Sequence, residues 1–333
     1  MRGSLLPLLV MLPILLAPLA GAEAQGRLQV ATTSPRLLPI IQIIGGERVE
    51  VRSVVPPGAD PHHYEPSQSQ LLEALGGADL VVMTGPSHLV VEGRIKTLAE
   101  TGLIRAEIVD YEDYEAEGLK LLTNPKTGSP NPHGYHFSIK GLRAIASACA
   151  HAFSRLDPDG AGYYEQRLEL FLEQLDSAEK SIESLDLRGL RIILLSPVLQ
   201  YVSQDLGLEV VDMILPELDI EPTEKDIARV VGSLKSGEAS LVLMSDLEAN
   251  RHAKFVSTLR EQGVPYLIVP LLKLTDTPQS VSLTTASIID SYRVSGRSES
   301  EGGVSLVTYS SIAANIILLL IVLLLMWRVK RGA

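Results

Sequence analysis

Short apolar runs alternate with longer amphipathic stretches in two successive passes along the chain. Each run has four to seven residues, is rich in β-branched side chains and is bounded by Gly, Pro, Asp or Ser, which predicts buried strands. Because strands alternate with helices, we expect parallel sheets with right-handed crossovers. The expected strands are Leu28–Thr33, Val49–Val55, Leu80–Met83 and Ile104–Asp110, then Arg191–Leu195, Glu209–Met213, Leu241–Met244 and Tyr266–Val269.

The stretches between these strands carry helix signals. Ser67 is an expected N-cap, Gly76-Gly77 is a stop signal, and Thr223 with Asp226 forms a near capping box. The sequence therefore predicts a helix after nearly every strand. The expected helices are Pro35–Ile44, Gln68–Leu75, His88–Glu100, Lys140–Leu156, Gln200–Leu206, Glu224–Lys235, Ala249–Gln262 and Gln279–Tyr292.

The strongest helical signal lies between the two passes, over Asp159–Leu185. Its apolar residues recur at alternating spacings of four and three, which is typical of a helix that buries one face. At 1.5 Å per residue such a helix is about 40 Å long, so we expect a stiff helix that joins two lobes. Residues 111–135 break the alternation with several Asn-Pro and Gly-Ser-Pro signals and predict a long loop.

The amino terminus has the pattern of a signal peptide. Arg2 precedes the apolar run Leu5–Leu19, and Ala22-Glu23-Ala24 supplies small residues at a cleavage site. The mature chain is then expected to begin near Gln25. The alternative is a first membrane helix that is retained.

The carboxyl terminus has the pattern of a membrane anchor. Residues 309–327 are almost entirely apolar and have about the length needed to span a bilayer. Trp327 lies at the border, and the three cations of residues 328–333 predict a cytoplasmic tail. Residues 294–308, rich in Ser, Glu and Gly, predict a flexible tether.

The predicted fold class is therefore α/β: two parallel-sheet α/β lobes joined by one long rigid helix, with a signal peptide and a carboxyl-terminal transmembrane helix. This organisation predicts a single-pass membrane protein whose lobes are extracytoplasmic. The expected divisions are residues 1–24, the signal peptide; 25–157, the first lobe; 158–187, the linking helix; 188–293, the second lobe; 294–308, the tether; 309–327, the anchor; and 328–333, the tail.

Composition narrows the function. The expected extracytoplasmic part has 25 basic and 39 acidic residues, a net charge of about −14, which argues against nucleic acid as a partner. The charge attracts cations mildly, although it serves solubility equally well. Cys149 is the single cysteine, so no disulfide within the chain and no thiolate metal cluster is expected. Without a cysteine near the cleavage site, the tail helix is the expected anchor.

A proline-rich loop, residues 54–66, carries two adjacent histidines directly after an expected strand. The prolines stiffen the loop, so His62 and His63 are held in place with little entropy left to lose. Loops that leave the carboxyl ends of strands bind ligands in open α/β sheets. The loop predicts a metal site; the alternative is a surface turn with solvated histidines.

A second histidine cluster, His133 and His136, precedes the next helix of the first lobe. The second lobe offers polar side chains after its own strands, at Ser196, Asp246 and Glu248. If the lobes face each other, these loops converge on one cleft that suits Zn, Mn, Fe or Co. No His-Glu-x-x-His, Gly-x-Ser-x-Gly or Walker pattern is present, and the lone His88, His151 and His252 are expected to be ordinary residues.

Several motifs, in order, resemble the zinc- and manganese-binding solute-binding proteins of ABC transporters. The resemblance covers about residues 28 to 290. It implies two α/β lobes joined by a rigid helix, with the ion between them. The motifs are Gly58-Ala59-Asp60-Pro61-His62-His63-Tyr64-Glu65-Pro66, Ala78-Asp79-Leu80-Val81-Val82, Gly85, Asn131-Pro132-His133-Gly134-Tyr135, Leu156-Asp157-Pro158 and Gln200-Tyr201.

The resemblance also implies a set of metal ligands. The family's first and second ligands correspond to His62 and His133, the third to Ser196 and the fourth to Asp246. Ser196 is a departure, since a serine is a poor ligand for a divalent cation, and His136 stands where the family has an aromatic residue. The expected ligands are therefore His62, His133, Asp246 and His136, with His63, Glu248 or water as alternatives for completing the shell.

These observations predict a protein that is not an enzyme: a monomeric solute-binding protein that captures Zn or Mn and passes it to an ABC permease in the same membrane. The substitution at Ser196 keeps an alternative open, a surface module such as an adhesin or a binder of another solute with a degenerate metal site. A metallohydrolase would need a general base beside the ion, and the sequence nominates none.

Overall fold

The computed structural model describes residues 26–56, 59, 61–85, 89–274 and 277–300, with side chains described as far as Ser295 in the last helix. The expected signal peptide and the expected anchor at residues 309–327 lie outside this part of the chain. None of the described helices combines the length and the apolarity needed to cross a membrane.

The first lobe alternates strands and helices as the apolar pattern predicts. Each strand is short, and the helices that follow begin at the caps expected from the sequence, as at Ser67, whose hydroxyl accepts from the Gln70 amide. The elements are β1 (Leu28–Thr32), α1 (Leu38–Gly45), β2 (Val49–Ser53), α2 (Gln68–Leu75), β3 (Leu80–Val82), α3 (Val90–Glu100), β4 (Glu107–Val109), α4 (Tyr111–Ala116) and α5 (Ile139–Leu156).

A long helix, α6 (Ala161–Glu183), leads into the second lobe, which repeats the alternation. Thr223 caps a helix there through the Asp226 amide, and the Asp226 carboxylate returns the contact, so the near capping box is a full one. The elements are β5 (Arg191–Leu194), α7 (Gln200–Asp205), β6 (Glu209–Met213), α8 (Glu224–Lys235), β7 (Leu241–Ser245), α9 (Asp246–Arg251), α10 (Ala253–Glu261), β8 (Tyr266–Val269) and α11 (Val281–Ser300).

The described residues form two four-stranded parallel sheets with the same strand order. The first sheet runs β2-β1-β3-β4 and the second runs β6-β5-β7-β8. In the first, Val30 stands opposite Val51 and Leu80; in the second, Leu194 stands opposite Met213 and Leu243. Because all strands in a sheet are parallel, the loops that follow them open at one edge, where ligands bind in such folds.

One hydrophobic cluster extends across both lobes, and each lobe has a further cluster of its own. Val30 of the first sheet and Ile192 of the second belong to the same buried cluster, and Phe171 and Leu175 of α6 lie within it. The 23 residues of α6 span about 34 Å, and the helix packs against α1 and α5 of the first lobe and α11 of the second. The expected two-lobe architecture with a long connecting helix is therefore present.

Three details differ from the sequence expectation. The expected loop 111–135 begins with a helix, α4, whose Tyr114 is fully buried. The expected single helix 249–262 is two helices, α9 and α10, separated at His252. The last helix continues to Ser300, so residues 294–300, which we expected in the flexible tether, are helical.

Candidate metal centre

The loops at the carboxyl ends of the strands carry the candidate ligands. His62 lies in a turn after β2, and His133 lies just before α5. On the second lobe, Ser196 follows β5 and Asp246 begins α9 directly after β7. Residues 216–222, which follow β6 and which we call the acidic loop, carry three further carboxylates.

The structure brings His62 and His133 together. Their ring centroids are 5.8 Å apart, with an angle of 36° between the ring planes. The two residues are 71 positions apart in sequence, so this contact is made by the fold and not by the local chain. The His133 side chain is 18 % exposed, whereas His62 lies at the surface. The pair leaves one side open to solvent, as an entry path for an ion requires.

The backbone around His133 is fixed by contacts with the second lobe. The Asn131 side chain accepts from the His133 amide at 2.8 Å and donates to Pro197 O at 3.1 Å. Gly134 has a φ of 81°, and a Cβ at this position would lie 2.0 Å from Val198 O. Both the backbone conformation and the space require glycine here.

A buried carboxylate, Glu92, ties the same region to the ends of β1 and β3. It accepts from the hydroxyls of Thr33 (2.6 Å) and Thr84 (2.8 Å) and from the amides of Thr84 (2.6 Å) and Gly85 (3.0 Å). The hydroxyl of Tyr135 donates to Thr84 O. Burial raises the pKa of Tyr135 well above its ordinary value. His133 and His136 flank this anchored residue, so their loop is held on both sides.

The acidic loop supplies a carboxylate to His133. Nε2 of His133 lies 2.9 Å from Oε2 of Glu217. Burial is the largest influence on the imidazole and, despite the opposing effect of Glu217, lowers the pKa of His133 below its ordinary value. The ring is therefore neutral near pH 7 and keeps a lone pair for an ion.

A second contact joins the acidic loop to the histidine loop. Nε2 of His63 lies 3.7 Å from Asp219, whose carboxylate also contacts Arg251. His63 thus contacts the acidic loop of the second lobe. Sequence reasoning kept His63 as an alternative ligand, and the structure places it against this surface ion pair.

His136 has the properties of a neutral, buried imidazole. Its ring lies 4.2 Å from the ring of Phe137, and its Nδ1 is enclosed without a hydrogen-bond partner among the described residues. Burial, with smaller effects of Arg36 and His133, lowers the pKa of His136 to about 3. A neutral imidazole is a ligand that divalent transition metals accept.

Ser196, at the third ligand position, is already engaged. Its hydroxyl donates to Oε1 of Glu248 at 2.6 Å, and both side chains are buried. The other oxygen of Glu248 accepts from the Ser245 amide at 2.6 Å. Burial raises the pKa of Glu248 even with these contacts. The side chain at the third ligand position, Ser196, is therefore already hydrogen-bonded to another protein group, Glu248.

Asp246, at the fourth position, lies beside a cationic side chain from the other lobe. Its two oxygens accept from the Leu272 amide at 3.0 and 3.2 Å. Arg36, which follows β1, donates from Nη1 to Leu271 O at 3.4 Å and stands over the Phe137 ring at 5.9 Å. The side chains of Arg36 and Asp246 thus both contact the turn at Leu271 and Leu272. Burial lowers the pKa of Arg36, and the charge of Asp246 opposes that effect.

The candidate ligands are not gathered into a finished coordination shell. In the described part of the chain, no three side chains of His, Cys, Asp or Glu stand close enough together to enclose an ion. Sequence reasoning named His62 and His133 but missed Glu217, Glu92 and Arg36. The acidic residues from Glu217 to Glu221 were visible in the sequence. The local sequence does not show which of their side chains contact the histidines of the first lobe.

Comparison with known proteins decides the family. The sequence profile described as zinc-uptake complex component A, periplasmic (ZnuA) matches residues 30–285, most of the chain. The chain belongs to the ZnuA family. The resemblance found in the sequence motifs is thereby confirmed.

Two lipoproteins of Streptococcus species are similar to this chain over different lengths. The manganese ABC transporter substrate-binding lipoprotein PsaA of Streptococcus pneumoniae is 25 % identical over 74 % of this chain and 80 % of its own. The metal ABC transporter substrate-binding lipoprotein FimA of Streptococcus parasanguinis is 29 % identical over 48 % of this chain. The chain spans about half of FimA's length, 52 %.

Solved structures show the same fold. FpvC from Pseudomonas aeruginosa, in complex with Mn²⁺, superposes with a TM-score of 0.64 at 20 % identity and covers 79 % of this chain and 97 % of its own. A zinc-bound ZnuA deletion mutant superposes with a TM-score of 0.63 at 21 % identity and covers 80 % of this chain and 97 % of its own. These superpositions confirm the expected fold of two parallel-sheet α/β lobes joined by a long helix.

Proposed function

We propose that this protein captures a zinc or manganese ion in the cleft between its lobes and passes it to an ABC permease. The ion binds to His62 and His133, with His136 and Asp246 as further ligands. The chain acts as a binding protein and not as an enzyme, as its family does.

The contact between His62 and His133 is the observation that carries the proposal. Two imidazoles from distant parts of the sequence lie 5.8 Å apart at their centroids, at the sheet edge where ligands bind. The enclosed Nδ1 of His136, a neutral imidazole, adds a third ring to the same region. Neutral nitrogen donors suit borderline cations such as Zn²⁺ and disfavour Mg²⁺ and Ca²⁺.

The choice between zinc and manganese depends on the oxygen ligands. Nitrogen donors bind Zn²⁺ more strongly than Mn²⁺, which favours zinc for His62, His133 and His136. Carboxylate and water oxygens from Asp246 and its surroundings would favour manganese. Relatives divide in the same way, since PsaA is named for manganese and the ZnuA structure contains zinc.

We place the two lobes outside the cytoplasmic membrane. PsaA and FimA are lipoproteins by name, which supports a membrane-attached, extracytoplasmic protein. In this chain the apolar residues 309–327 take the anchoring role, followed by a short cytoplasmic tail. A protein held beside its permease delivers the ion over a short distance.

The test is metal binding by the full-length protein and three variants. We expect protein purified without chelator to contain zinc or manganese by mass spectrometry. His62→Ala and His133→Ala should each weaken binding more than tenfold in calorimetric titration, because even outer-shell changes cost 10–100-fold. His151→Ala is the matched control, since His151 is an exposed histidine that contacts Glu117. Equal affinities in all four proteins would refute the site.

A second candidate is a surface module that keeps the fold and has lost metal transport. The hydrogen bond between Ser196 and Glu248 favours it, because the third ligand position is taken up by a contact between protein groups. This candidate predicts a protein that purifies without a metal and whose melting temperature does not change with any divalent cation, since a ligand specific for the folded state raises that temperature.

A further inference from the structure

The proposed site has one carboxylate, Asp246, and its charge is partly offset by Arg36. Imidazole nitrogens carry no negative charge, so a divalent cation bound by His62, His133 and His136 would keep most of its charge in a partly buried cleft. An uncompensated buried charge is costly. Zinc and manganese sites with several imidazoles therefore gain from at least one carboxylate. The question is which described carboxylate meets the ion.

Two carboxylates lie at the expected third and fourth ligand positions, and both already have partners. They are Glu248, which contacts Ser196, and Asp246. Glu248 is buried and accepts from the Ser196 hydroxyl and the Ser245 amide, so an ion would compete with these contacts for its oxygens. Asp246 accepts from the Leu272 amide and lies in the field of Arg36. Its charge is partly compensated before an ion arrives.

Glu217 is the carboxylate that contacts a candidate ligand. Its Oε2 lies 2.9 Å from Nε2 of His133, the ring nitrogen that faces the second lobe. The Glu217 side chain is 51 % exposed, so it is not held in the protein interior and turns at little cost. The ring of His62 contacts the same imidazole of His133. Glu217 and His62 therefore both contact His133, although the three side chains do not yet enclose an ion.

The acidic loop that carries Glu217 is anchored at both ends. The Asn124 side chain donates to Pro216 O at 3.0 Å. His252, whose side chain is fully buried, lies with Nε2 3.0 Å from Leu218 O and with Nδ1 3.2 Å from Glu221. These contacts hold the backbone on either side of Glu217 and leave its side chain to face the cleft.

We propose that Glu217 is a ligand of the captured ion and supplies the negative charge that Ser196 does not. The inference rests on the proposed function, because it concerns the same cleft. In the metal-free protein Glu217 holds His133 by a hydrogen bond, and in the loaded protein the ion takes the place of that hydrogen bond and joins the same two groups.

The observed geometry allows this exchange with a small movement. Ligand atoms about 2.0–2.2 Å from a tetrahedral zinc ion are about 3.4 Å from each other. The oxygen of Glu217 and the nitrogen of His133 are 2.9 Å apart, so this separation must widen by about half an ångström. The exposed carboxylate must also swing off the axis of the Nε2 bond, so that the ion can take its place there. The neutral imidazole then carries its proton on Nδ1 instead of Nε2.

The experiment compares full-length wild type with Glu217→Gln, which keeps the size of the side chain and removes its charge. We expect the zinc affinity of the variant to fall at least tenfold. We also expect the visible spectrum of the cobalt(II)-loaded variant to change, because a carboxylate has left the shell. Glu224→Gln is the control, because Glu224 is an exposed carboxylate at the start of α8. This substitution removes the same charge as Glu217→Gln.

The outcomes separate this inference from the proposed function. Wild-type affinity in Glu217→Gln, together with weak binding in His62→Ala and His133→Ala, would overturn the role of Glu217 and leave the site intact. A weaker affinity with an unchanged cobalt(II) spectrum would make Glu217 a positioning residue for His133 and not a ligand. If wild type and all variants fail to bind zinc, manganese or cobalt, both proposals are wrong.

Discussion

A buried carboxylate between the lobes makes stability depend on pH. Asp205, at the end of α7, accepts from the Ile139 amide at 2.6 Å, where α5 of the first lobe begins, and from the Ser282 hydroxyl of α11 at 2.8 Å. Burial raises the pKa of Asp205 from its ordinary 3.8 to about 6. The two hydrogen bonds and Lys140 oppose that increase, and Glu179 of α6 adds to it.

The direction of the effect follows from the two pKa values. Between about pH 4 and pH 6 the folded protein holds a proton on Asp205 that the unfolded chain has lost. Stability therefore falls as the pH rises through this window, and the loss is complete above it. A shift of about two pKa units corresponds to about 3 kcal/mol in the free energy of unfolding.

Asp205→Asn removes the titrating group and keeps an oxygen that accepts hydrogen bonds. In urea unfolding, we expect the variant to gain about 2 kcal/mol relative to wild type between about pH 4 and about pH 7. Asp176→Asn is the control, since Asp176 is half exposed and contacts Arg143, and its difference from wild type should stay nearly constant. Parallel stability curves for wild type and Asp205→Asn would refute the reasoning.

Three further outcomes are expected. Arg36→Leu should raise zinc affinity about tenfold in calorimetric titration, because it removes a cation beside Asp246. Arg36→Lys keeps the charge and should bind zinc as wild type does. Equal affinities of wild type and both variants would exclude Arg36 from the site. His136→Phe should reduce the increase in melting temperature that zinc produces, and an unchanged increase would remove His136 from the shell. A chain that ends at Ser300 should remain in the supernatant after ultracentrifugation and keep the wild-type circular dichroism spectrum, whereas the full-length chain should sediment with membranes; sedimentation of the shortened chain would contradict a single anchor at residues 309–327.

The strands were predictable because their signal is local. Each is a short β-branched run with a turn residue at its ends, and all eight expected strands are present in the described residues. The break between α9 and α10 was not predictable from periodicity. The buried His252 leaves the helical conformation, with φ −106° and ψ 43°, while its ring contacts the acidic loop. A tertiary contact overrides the helical pattern there.

The site was predictable only where its residues form a motif. His62 and His133 stand out as histidines in Pro-rich segments after strands. Glu92 looks like a solvated position on an amphipathic helix, and only the fold shows that four donors surround its carboxylate. Glu217 meets His133 across 84 positions of sequence, and no spacing rule connects a loop residue to so distant a partner.

The shared core of the two lobes restricts how an ion enters and leaves. Because residues of both sheets pack into one buried cluster that includes Phe171 and Leu175, opening the lobes widely would expose apolar surface, at a cost of about 25 cal/mol for each Å². Under the proposed function, exchange of the ion then depends on exposed side chains of loops at the cleft, such as Glu217, and not on wide opening of the lobes. A permease that unloads this protein would act on those loops, and the body of the protein would move as one piece.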